Sequence, residues 1–184
     1  LRIGWWFVLS CIANSAWVFL WLYGYTGISC LFILLLLFSL MQIIYRCRLE
    51  LDYETYTHIL FVAWPFVFYA GWVTVASIAN ISAYLNKIEW DGFGVSDDNW
   101  AIVLIVIAVI INLKAIYDRN LREFALVGAW ALIAIGIRNQ EMYHNIRDMA
   151  YLGAGILLLN CGIHAYRQYR KSGNKMDFAF KHSK

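Results

Sequence analysis

Two helical stripes carry the residues best suited to chemistry. Asn14, Trp17 and Trp21 recur at i, i+3 and i+7, a spacing that puts them on one face of a helix. Trp72, Ala76, Ala79 or Asn80, and Ala83 read as a second stripe. An indole offers a broad π-face and one N–H donor, and a carboxamide offers two donors and an acceptor. Small residues between them let another group approach the backbone. Two readings follow. One is an aromatic pocket for a flat apolar ligand, oriented by amides. The other is helix–helix adhesion, with asparagine bonding across a crossing and tryptophan filling space.

Catalytic sets are missing from the sequence. It has no HExxH, no GxSxG, no phosphate-cradling glycine loop and no paired carboxylates within an apolar run. The sequence thus names no catalytic residue and leaves open whether any chemistry is done on a ligand, with a non-enzymatic protein the favoured reading. Cys11, Cys30, Cys47 and Cys161 lack metal-type spacing and read as thiols. His164, near the end of the last apolar run, reads as an interfacial histidine, with haem ligation or proton relay as the alternative.

Elements must position those stripes. The chain has 184 residues, 62% hydrophobic and 15% charged, with mean hydropathy +0.59. A soluble domain carries about a quarter charged residues, so the composition points to a membrane protein. Apolar runs predict helices over 3–23, 28–45, 59–85, 100–117, 124–137 and 149–166. The run over 124–137 is short for a crossing. Pro65, the single proline, is placed to bend the third helix. Leu40, Tyr45 and Arg48 satisfy a loose cholesterol-contact pattern.

Charge placement tests the count. If Arg2 is cytoplasmic, alternation over six crossings puts Arg2, Arg46, Arg48, Lys114, Arg119, Arg122, Arg167, Arg170, Lys171, Lys175, Lys181 and Lys184 on that side. Only Lys87, Arg138 and Arg147 fall opposite, which is twelve against three of the fifteen Lys and Arg. The expected fold is an all-α polytopic membrane bundle with six transmembrane helices and both ends cytoplasmic. A bacterial cytoplasmic membrane is its expected location.

"IANSAWVFLWLYG" (12–24) and "WPFVFYAGWVTVASIANISAYLN" (64–86) resemble the third- and fifth-helix patterns of the tryptophan-rich sensory protein family, also called the translocator protein or peripheral benzodiazepine receptor family. The resemblance rests on Asn14 and Trp17 in the first stretch. In the second it rests on Pro65, Trp72, Val73, Ala76, Asn80, Leu85 and Asn86. It implies a family half over 1–86, while charge and hydropathy give an acidic external loop over 87–99, three additional helices over 100–166 and a basic cytoplasmic tail over 167–184. It also implies further helices upstream of Leu1. The implied function is membrane binding or sensing of a tetrapyrrole, sterol-like or synthetic aromatic ligand, with porphyrin or haem as ligand rather than fixed cofactor. The implied ligand positions are Asn14, Trp17, Trp72, Ala76 and Asn80. Expected partners are a hydrophobic small molecule, membrane lipids, and further copies or a larger membrane assembly. Nothing points to nucleic acid. A small-molecule transporter and a structural subunit are the alternatives.

Overall fold

A computed structural model describes residues 3–49, 57 and 59–181, the last eleven by backbone alone. Arg2, Lys184 and most of the polar stretch after Arg48 lie outside the described residues. The described chain is six α-helices with short connections: α1 (Trp5–Leu22), α2 (Thr26–Cys47), α3 (Trp64–Lys87), α4 (Asp97–Arg119), α5 (Arg122–Arg138) and α6 (His144–Lys181). This is the all-helical membrane bundle that the apolar runs require.

By length and composition, α1, α2, α4, α6 and the π-turn with α3 are each able to cross a membrane. Helix α5 has 17 residues. It spans about 25 Å, less than the roughly 30 Å hydrocarbon core. Packing explains how so short a helix is kept. It sits against α3, α4 and α6. It buries Phe124, Ala125, Gly128, Ala129, Ala131, Leu132 and Gly136.

The helices form two groups of three. Helices α1, α2 and α3 enclose a core of Ile33, Leu36, Leu40, Val67 and Ala70, which reaches across to Leu121 and Phe124. Helices α4, α5 and α6 enclose Ile105, Leu132, Ala150 and Leu157. The groups join through α3 and α5. Gly71 makes this join possible: a Cβ there would lie 3.0 Å from the backbone oxygen of Phe124. Helices α3 and α4 each pack on α5 and scarcely touch each other.

Three local features take a definite form. Pro65 lies one turn into a helical segment that begins at Ile59. A π-helical turn over Ile59–Ala63 runs into α3, and Pro65 falls in the first turn of α3, where its missing N–H costs little. Leu40 is buried, so Leu40, Tyr45 and Arg48 do not present one face to lipid. Helix α6 continues to Lys181, into the stretch read as a basic tail.

Candidate functional site

Asn80 is the hub of the first three helices. It is only 3% exposed. Its Oδ1 accepts the indole N–H of Trp17 at 2.8 Å. Its Nδ2 donates to Ser29 Oγ and to Cys30 Sγ, each at 3.0 Å. One carboxamide thus ties α1, α2 and α3 together, as a buried amide in an apolar setting must. Trp17 and Ala76 pack on the surrounding core. Trp17 of the first stripe and Asn80 of the second therefore meet, and the Trp17 ring itself fills the space between them.

The other expected ligand positions lie elsewhere. Asn14 is half-buried on α1 and has no hydrogen bond among the described residues. Trp72 points away from Asn80. Eight residues advance a helix by two turns plus about 80°, so the two side chains do not share a face. Val73, Ser77 and Asn80 form the buried face instead. Trp72 is half-exposed and meets Trp130 of α5, with ring centroids 5.5 Å apart and planes tilted by 43°. These rings, with Phe68, Tyr69, Leu126 and Val127, line an open groove of about 500 Å³.

A second cavity occupies the gap between α3 and α4. Its volume is about 270 Å³. Val75, Ile78, Ala79 and Ser82 form one wall, and Ala101, Leu104, Ile105 and Ala108 form the other. Gly128, Ala131, Leu132 and Ile135 of α5 make the floor. Asn139, at the end of α5, and Ile146 of α6 close one end. None of these residues is ionisable. Sequence reasoning missed this site because its walls come from three helices and consist of ordinary aliphatic and small residues. Only Ala79 belonged to a stripe. The run of Gly128, Ala129 and Ala131 is the signal that something approaches α5 closely.

Asn112 abuts the cavity floor. A Cβ on Gly128 would lie 2.5 Å from Asn112 Oδ1, so only glycine admits the amide there. Asn112 Nδ2 donates to the carbonyl of Ala108 at 2.8 Å. Its Oδ1 is buried without a hydrogen-bond donor among the described residues. Exchanging the two amide atoms would set oxygen against the Ala108 carbonyl, so the carbonyl fixes the assignment.

At the loop end of the cavity, Trp100 donates its indole N–H to Gly92 O at 2.8 Å, and Trp90 packs against it with ring centroids 5.1 Å apart and planes tilted by 50°. At the opposite end of α4, Lys114 pairs with Asp118 at 3.1 Å, both exposed. His164 packs edge-on against Tyr117 with centroids 6.0 Å apart. The described residues hold no group of three His, Cys, Asp or Glu fit to hold a metal ion.

A family model described as TSPO-like protein matches residues 1–163. The chain belongs to the TSPO-like protein family. The match covers both three-helix groups, so the TSPO-like region extends well past residue 86 and takes in the α3–α4–α5 cavity. Curated proteins and solved structures yield no match. With its apolar helices, the TSPO-like chain is a multi-pass integral membrane protein.

Proposed function

We propose that this TSPO-like protein is a membrane binding or sensory protein, and that an apolar small molecule occupies the cavity between α3, α4 and α5. The observation that carries the reading is the cavity itself: apolar apart from Ser82 and Asn139, uncharged, and floored in part by the small residues Gly128 and Ala131. Small-molecule sites are commonly apolar clefts of about 300–1,000 Å³ with few polar groups, and this one, at about 270 Å³, falls just below that range. A bacterial cytoplasmic membrane is the setting we propose. The test is native mass spectrometry of the detergent-extracted protein with added aminoanthracene, a small neutral aromatic probe. The wild type should carry the adduct and Ala131→Phe, which fills the cavity, should lose it. An adduct retained at full strength in Ala131→Phe would sink the reading.

A flat tetrapyrrole is the second reading, favoured by a different observation. The half-exposed Trp72 and Trp130 present adjoining aromatic faces in a larger, open groove. A porphyrin stacked there would gain aromatic contacts worth about 0.5–1.5 kcal/mol each beyond burial. Protoporphyrin should then quench tryptophan fluorescence in the wild type and in Ala131→Phe. The loss of those rings in Trp72→Ala or Trp130→Ala should weaken its binding. Equal affinity in both tryptophan variants rules the groove out.

A further inference from the structure

Arginines gather at one end of the bundle. Arg119 of α4 donates to Ile44 O of α2 at 3.3 Å, and the Cys161 thiol of α6 donates to Arg122 O of α5 at 3.7 Å. These contacts bring the end of α2, the end of α4 and the start of α5 beside the later turns of α6. Arg46, Arg48, Arg119, Arg122, Arg167 and Arg170 therefore share one side. Among the described side chains there, Asp118 and Glu123 are the carboxylates, and Asp118 is taken by Lys114.

On that side the outer face of α6 carries an open groove of about 600 Å³, lined among the described residues by α6 alone. Leu159, Gly162 and Ile163 make it apolar, Tyr166 follows, and Arg167 and Arg170 close its basic end. Leu159 to Arg170 rises about 16 Å, close to the roughly 15 Å depth of one hydrocarbon leaflet. Gly162 has open space where a Cβ would project, so a chain can lie against the helix backbone there. Neither guanidinium has an ion-pair partner among the described residues. Arg170 instead lies 6.0 Å from the centroid of the Tyr166 ring, at the edge of cation–π reach.

Charge selects the occupant. A second copy of the chain across a two-fold axis would set Arg167 and Arg170 against their own images, a costly like-charge contact. A choline headgroup would add a cation beside two that lack a counter-ion. A phosphodiester accepts paired N–H bonds from a guanidinium and supplies the missing charge. We propose that this groove binds an anionic phospholipid: Arg167 and Arg170 hold its phosphodiester, and one acyl chain lies over Gly162 beside Leu159 and Ile163. The groove is apart from the α3–α4–α5 cavity, and the proposal does not rest on that cavity being occupied.

The test is native mass spectrometry of the full chain, released from detergent micelles with added phosphatidylglycerol or phosphatidylcholine of equal acyl length. Phosphatidylglycerol adducts should exceed phosphatidylcholine adducts several-fold. Arg167→Gln and Arg170→Gln should each lower them about fivefold, the scale of one basic residue at an anionic membrane surface. The double variant should bind both lipids equally. Gly162→Leu fills open space, so it folds, and it should lower phosphatidylglycerol binding with both arginines present. Glycerol phosphate, the headgroup chemistry without chains, should not displace the lipid. Arg138→Gln, at the opposite end of the bundle, should change nothing. A phosphatidylglycerol preference that survives in the double variant overturns the proposal. An equal loss in Arg138→Gln also overturns it, because net charge alone would then explain the effect. So does a preference that Gly162→Leu leaves intact and glycerol phosphate abolishes, since the arginines would then collect anions without a lipid groove.

Discussion

The indole N–H of Trp17 on α1 meets the amide oxygen of Asn80 on α3 at 2.8 Å, sixty-three residues away in the chain. Asn80 spends its remaining polar capacity on Ser29 and Cys30 of α2. These bonds tie the first three helices together. They leave the opposite side of α3 to face the cavity.

Asn80→Leu removes the hub and leaves the half-buried Trp17 N–H without its acceptor. Stability should fall by about 1–3 kcal/mol. Trp17→Phe removes one bond only and should cost about 0.6 kcal/mol, typical of interhelical bonds in membranes. Thermal unfolding in detergent, followed by circular dichroism, reads both. Aminoanthracene binding in the folded fraction should be unchanged, since neither residue lines the cavity.

Gly128→Ala drives a methyl group into the Asn112 amide. Overpacking of this kind costs about 1–3 kcal/mol. The double variant with Asn112→Ala should recover part of that loss, because the two residues act on one contact. Strict additivity in the double-mutant cycle would mean that the clash is relieved elsewhere.

Trp100→Phe keeps the ring and deletes the hydrogen bond to Gly92 O. The loop over 88–96 should open more readily, by about 1 kcal/mol, the net size of such a bond. Hydrogen exchange should accelerate in that loop and stay unchanged in the core of α2. Uniform acceleration would indicate a global rather than local role for Trp100.

Lys114→Ala breaks an i,i+4 ion pair whose side chains are both largely exposed. Exposed pairs of this spacing contribute about 0.3–0.5 kcal/mol. The unfolding midpoint should barely move, and added salt should erase the remaining difference.

The sequence by itself determined that this is an all-helical membrane protein. Apolar runs separated by short polar turns leave few other solutions, since backbone groups in lipid must be satisfied within each segment. It also indicated that Asn80 needs a partner on another helix, because an amide in an apolar setting must be satisfied, whereas only the fold showed Trp17, Ser29 and Cys30 to be those partners. The family resemblance was legible from the same residues, although the family match extends through residue 163. Tertiary structure alone decided which way each residue faces. Trp72 and Asn80 sit on one helix, but an offset of about 80° sends one to α5 and the other to α1 and α2. The cavity was not legible, because a void is defined by distances between helices far apart in sequence. It exists because α3 and α4 both pack on α5 and not on each other. No periodicity within a single helix records that.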